Sequence, residues 1–432
     1  MKVHVLFIFI LLILVVLAGL ILGLVASHGC GEAKHRRHHE RAGLLMASSL
    51  PSPVTLNLPT NLADQPLTGL AYINENALVV SAGRHTGGTT FIVHPASGVA
   101  SHTINIVANG LFSGVATSAN YILLSGDAGA GQTQTQVFTY PDLKQVWKNT
   151  YQPHFQARNC TFIKSSTGEP TNSFALVGGT VGLDANAQYT FTAECSVFNP
   201  ASSGGWGAPS FTQSTPQFPY QVYCVGVDGY GDLLAVGTRL SWRAINQPEG
   251  NVPAEPAQGL SFLPNWLINL KTQKVFEIQG IGKGGQTVGV VVAPILGDKD
   301  PDVLFVQGGE PGLKGQSYIV PSADVNAIMG GAKPIPSNFI PIGEALDGRN
   351  ARVVDLTGNG LLDIVLVCAS QGVRLYEQTS KGQFTEHILA NPDFNNCAAR
   401  GLAISSTNQV AVTWMPGSGP ATCGLGLYNF ST

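Results

Sequence analysis

Apolar residues in this chain follow two patterns. From Val5 to Val25 every position is apolar (VLFIFILLILVVLAGLILGLV), a run that at ~1.5 Å per helical residue spans a hydrocarbon core of ~30 Å. After residue 53 the apolar residues come instead in short runs separated by turn chemistry. One arrangement recurs seven times: a short apolar strand, a turn of variable length, then a strongly apolar strand that usually ends in Gly. The units begin at Gly69, Gly114, Cys160, Cys224, Gly289, Arg352 and Gly401. Each continues into a third strand followed by Pro, Asn, Asp or Gly, as in TTFIVHP and NWLINLK. A 3.6-residue apolar period is nearly absent outside the N-terminal run, so helices should be few and short.

Repeats of about 40–50 residues whose sheets each bury two faces are satisfied by radial stacking. The pattern predicts an all-β fold, a seven-bladed β-propeller over residues 54–432, preceded by an N-terminal transmembrane or signal helix. The seventh unit reaches Thr432 soon after its third strand, which leaves Val54–Leu58 (VTLNL) to supply its outer strand and close the ring. Two packed β-sandwich domains are the competing architecture.

Residues 1–27 read as a signal peptide or transmembrane anchor, and 28–53 as a basic, His-rich linker containing KHRRHHER. A cleavable signal has an apolar stretch of only about 7–15 residues, so the long run fits an uncleaved anchor better, although Val25, Ser27 and Gly29 are small enough for cleavage. The Lys and Arg residues behind the run would keep the following domain cytoplasmic. Six cysteines after Cys30, and the sequons at Asn159 and Asn429, point the other way. The expectation is a disulfide-bonded glycoprotein outside the cytoplasm, membrane-anchored or secreted.

Composition narrows the function classes. With 23 Lys and Arg against 26 Asp and Glu, a net charge of −3 and an 11% charged fraction, the chain lacks the clustered cationic surplus that nucleic acid demands. No nucleic-acid partner is expected.

The sharpest local motif is Asp355-Leu356-Thr357-Gly358-Asn359-Gly360-Leu361-Leu362-Asp363, followed at once by the strand Ile364–Val367. Oxygen-bearing side chains at positions 1, 3, 5 and 9 of a glycine-rich loop can gather the hard ligands that Ca²⁺ prefers. The alternative is a β-hairpin turn held by Asx hydrogen bonds. The loop resembles the calcium loop of FG-GAP/VCBS repeats, the integrin-like propeller-forming repeats. That resemblance implies side-chain ligation by Asp355, Thr357, Asn359 and Asp363 and carbonyl ligation by Leu361. Less complete versions occur at Asp298, Asp300 and Asp302 and at Asp228 and Asp232, with Asp302 and Asp232 aligned on the last ligand position. These are read first as turns.

Enzyme signatures fail: Gly280–Gly285 matches G-x-G-x-x-G but opens no helix, and Gly126–Thr133 lacks the phosphate-binding Lys. A different pattern concerns arginine. Ala-Arg precedes the inner strand at Arg158, Arg352 and Arg400, in a domain with only eight arginines after the N-terminal cluster. Equivalent repeat positions lie on one ring, so these guanidiniums are expected at one end of a central channel, receiving an anionic group or hydrogen-bonding the neighbouring unit's carbonyls. The sequence thus points to a module for extracellular recognition or adhesion, binding a protein or glycan. The alternatives are a carbohydrate-active lyase or dehydratase with its site at the channel mouth, involving His154 or His387, and an assembly scaffold without a small ligand.

Overall fold

The computed structural model describes residues 50–56, 66–84, 87–95, 104–127, 133–151, 155–187, 189–202, 204–218, 222–240, 264–278, 286–308, 315–392, 397–416 and 424–430. The apolar run Val5–Val25, the basic linker through Ser49, His154, Gly280–Gly285 and Cys423 lie outside these residues. Among the described residues no helix is long and apolar enough to cross a membrane.

The fold is all-β. Strands pair into antiparallel units of four, and their first strands are Leu67–Asn74, Leu111–Thr117, Phe155–Lys164, Val222–Tyr230, Gln286–Ala293, Gly348–Val354 and Cys397–Ile404. Five sheets contain four strands. A sixth contains eight, because Lys164 of the third unit pairs in parallel with Tyr230 of the fourth. Each first strand lies beside the first strand of the next unit, and that of the seventh lies beside that of the first. The one described α-helix, Ser322–Met329, follows the third strand of the fifth unit.

The unbroken apolar second strands follow from this stacking, since a sheet covered on both faces has no solvent side to mark with polar residues. In the fourth unit, Leu234 and Val236 pack with Ala175 and Val177 of the third. Their alternating neighbours Leu233 and Ala235 pack with Val290 and Phe305 of the fifth. The ends meet as the sequence pattern requires: Val54–Leu56 pairs antiparallel with Gly424–Asn429, Val54 opposite Leu427 and Leu56 opposite Leu425. Leu56 is buried in a core shared by the first and seventh units.

Glycine permits the first strands to approach. A Cβ on Gly114 would stand 2.9 Å from the Cα of Asn159, and one on Gly226 would stand 2.9 Å from the carbonyl carbon of Gly289, in each case the following unit's backbone.

The cysteines correct one expectation. Cys160, Cys195, Cys224 and Cys368 are buried free thiols distributed over three core clusters. Burial pushes all four well above the ordinary thiol value. These four act as small apolar fillers, and among the described residues no disulfide joins them. Asn159 of the first sequon lines the central channel, a poor position for a bulky glycan.

Candidate functional site

The seven first strands wall a central channel of 560 Å³. In every unit the pairing of the first with the second strand slips near its start, leaving one extra residue on the first strand. The residues at these slips are Thr68, Ser113, Arg158, Val225, Val288, Arg349 and Arg400. A bulge re-aims side chains and bends its strand. Here it recurs where the strands line the channel.

This register revises the arginine alignment. Arg158 and Arg400 are equivalent, as expected from the sequence. Arg352 is not their counterpart, because the bulged residue of the sixth unit is Arg349 and Arg352 sits three positions further along the same strand. All four line the channel, and Arg239 from the second strand of the fourth unit joins them. Five of the domain's eight arginines therefore converge on one cavity. Sequence reasoning missed Arg239 and Arg349. An apolar pattern does not reveal bulges, and the Ala-Arg pair at Arg352 drew the alignment past its neighbour.

Neighbouring units hold two of these side chains, Arg158 and Arg239. Ser113 Oγ donates to the Arg158 carbonyl at 3.0 Å. Arg158 donates to Gln156 Oε1 at 2.7 Å, and its guanidinium carbon stands 4.3 Å over the Tyr223 ring of the fourth unit. Arg239 Nε donates to Gln286 Oε1 at 3.0 Å. Arg352 donates to Asn350 Oδ1 at 3.0 Å and to the Ala351 carbonyl at 2.9 Å. Burial pushes its guanidinium below the ordinary value, with Asp228 acting the other way. Arg400 is exposed, whereas the other four are half-buried.

The described channel lining contains one carboxylate, Asp228, and it is already engaged. Its Oδ2 accepts from Lys164 Nζ at 2.7 Å and from the Val292 amide at 2.8 Å, while Oδ1 accepts from the Gly229 amide at 3.0 Å. The lining therefore keeps a surplus of positive charge in a concave site, where attraction to an anion is screened less than in open water. Arg matches the planar oxygens of carboxylate, sulfate or phosphate in pairs.

The proposed calcium ligands occupy different surroundings. Asp363 is fully buried; its Oδ2 accepts from the Leu356 amide at 2.9 Å and its Oδ1 from the Gln378 amide at 2.9 Å. The same clamp exists in the fifth unit, where Asp302 accepts from the Leu296 amide at 2.8 Å and the Ser322 amide at 2.7 Å. Asp302 and Asp363 are thus equivalent, as the strand alignment predicts, whereas Asp232 is exposed and carries no such clamp. Asp298 pairs with Lys381. Asp355, Thr357, Asn359 and Leu361 are half-buried. The fifth unit forms its clamp without an Asp at the first loop position, so the clamp does not require an ion. The set holds two carboxylates, Asp355 and Asp363, and both oxygens of Asp363 accept main-chain amides. His387 lies on the outer strand of the sixth unit, 2.8 Å from Glu377, away from the channel.

No protein-family model matches this chain, and no curated protein matches it in sequence. Solved structures do. A chain of a mitotic checkpoint complex superposes with a TM-score of 0.54 at 11% identity, covering 89% of this chain and 99% of that one. The Dos1 propeller gives 0.48 at 10% identity, covering 84% and 78%. The β-propeller domain of the Trilobed protease from Pyrococcus furiosus gives 0.44 at 10% identity, covering 85% and 96%. At such identities the likeness concerns the fold alone.

Proposed function

We propose that this chain is a seven-bladed β-propeller acting as a recognition module, whose central channel receives an anionic group of an extracellular protein or glycan. The seven four-stranded units and the return of the last first strand to the first support the blade count. The N-terminal apolar run supports membrane anchoring or secretion. Kinship with FG-GAP/VCBS repeats rests on the loop from Asp355 to Asp363. The observation that carries the reading is the convergence of Arg158, Arg239, Arg349, Arg352 and Arg400, from four units, on a cavity whose one described carboxylate is already held by Lys164. Catalysis by a lyase or dehydratase has less support, because the described lining contains no histidine and its Asp228 is engaged.

Calorimetric titration of the purified protein with sialylated, uronate-containing and sulfated oligosaccharides tests the proposal. Binding should weaken with added salt. The double variant Arg349→Ala/Arg400→Ala should bind about tenfold more weakly or worse, a loss of at least ~1.4 kcal/mol. Equal affinity for the variant, or for neutral and acidic glycans alike, would overturn it.

A further inference from the structure

Among the described sheets, the third and fourth units alone are fused by main-chain pairing. Beside the Lys164–Tyr230 bridge, the Gly231 amide donates to the Lys164 carbonyl at 2.8 Å, and the Tyr230 hydroxyl donates to the Ser166 carbonyl at 3.0 Å. A groove of 600 Å³ lies along this seam, within the roughly 300–1,000 Å³ usual for small-ligand sites. Lys164 lines both the groove and the channel, so the groove runs from the channel wall to the outer strand Phe211–Ser214.

Side-chain hydrogen bonds join its walls. Asn199 Nδ2 donates to Ser210 Oγ at 3.2 Å, and Gln273 Nε2 donates to the Ser210 carbonyl at 3.3 Å, which fastens a turn of the fourth unit to the outer edge of the third. Gln273 has a φ of 56°, a left-handed conformation uncommon for such a side chain. Its charges differ in kind from those of the channel. Lys164 is paired with Asp228, and the rest of the groove lining contributes one cation, Lys271, and one carboxylate, Asp232, so its formal charges balance.

We infer that this groove binds a neutral oligosaccharide. Phe211, half-buried, offers an apolar ring for the C–H face of a sugar, and the exposed Asn199, Asp232 and Gln273 offer planar donors and acceptors for its hydroxyls. Charge balance favours an uncharged ligand, and the main-chain seam makes the site preformed, so little binding energy is lost to ordering it. None of the channel arginines lines the groove, so this proposal stands if the anion reading fails.

The test uses the full chain with cellohexaose, xylohexaose, chitohexaose and mannohexaose, by saturation-transfer NMR followed by calorimetry. Saturable binding to at least one probe is expected. The surface double variant Asn199→Ala/Asp232→Ala should weaken it about tenfold or more, and Phe211→Ala should do the same while its thermal melt reports retained folding. The channel variant Arg349→Ala/Arg400→Ala should bind the same probe unchanged. No saturable binding to any of the four at millimolar concentration, or binding indifferent to the groove double variant, would overturn the proposal.

Discussion

Charged side chains near the start of the first strands and those where the first strands end live under different rules. At the start, bulges present Arg158, Arg349 and Arg400 to the channel, whose described lining holds more cations than its one carboxylate, Asp228, can balance. At the end, Asp228, Asp302 and Asp363 are buried, and each has both oxygens occupied by amides or by a lysine. Buried charge with its partners supplied serves the fold, whereas charge left in surplus at a cavity is available to a ligand. Under the proposed reading, the carboxylates serve stability and the arginines serve binding.

The carboxylate end offers the largest test. Asp363→Ala strands two buried amides and should cost about 2–4 kcal/mol, read as a lower urea midpoint with an unchanged slope. Asp302→Ala should behave alike. At the arginine end, Arg349→Ala/Arg400→Ala should change stability by less than about 1 kcal/mol while lowering anion affinity. A loss as large as that of Asp363→Ala would erase the distinction. Lys164→Met lies between, at about 1–2 kcal/mol, because Asp228 keeps two amide donors and the pair is only partly buried.

A pH dependence sharpens the comparison. Burial holds the Asp302 carboxyl above its ordinary value of 3.8, opposed by the amides of Leu296 and Ser322. A raised folded value means that ionisation costs stability at neutral pH, and that the cost is relieved as pH falls through the folded value toward the unfolded one. Wild type should therefore gain stability relative to Asp302→Asn as pH falls from neutrality toward the ordinary carboxylate range, measured by paired urea melts. Calcium should matter least. With Asp363 fastened by two amides, a chelator should shift the thermal midpoint by less than about 2 °C, and a larger shift abolished by Asp355→Ala would restore the ion to the loop.

Much of the fold was legible because its signals are local. Seven apolar second strands, turn residues after each third strand, and Val54–Leu56 as the missing outer strand can all be read along the chain. The equivalence of Asp302 and Asp363 was legible too, through their common place at the head of a strand, whereas the amides that clamp them were not. The ring of arginines was only half legible. Arg158 and Arg400 follow from a dipeptide, but Arg349 depends on a bulge, and Arg239 reaches the channel from a different strand. Cys195 and Cys224 read as disulfide candidates until packing showed them sharing a core as thiols.

The sequence by itself determined that the chain forms small antiparallel sheets with two buried faces, since apolar periodicity and turn chemistry act over a few residues. Tertiary structure alone decided which charges meet partners. The amides that engage Asp363 come from seven residues upstream and fifteen downstream, and the arginines that share the channel come from units separated by up to 242 positions. Such pairings depend on register and closure, which are properties of the assembled ring.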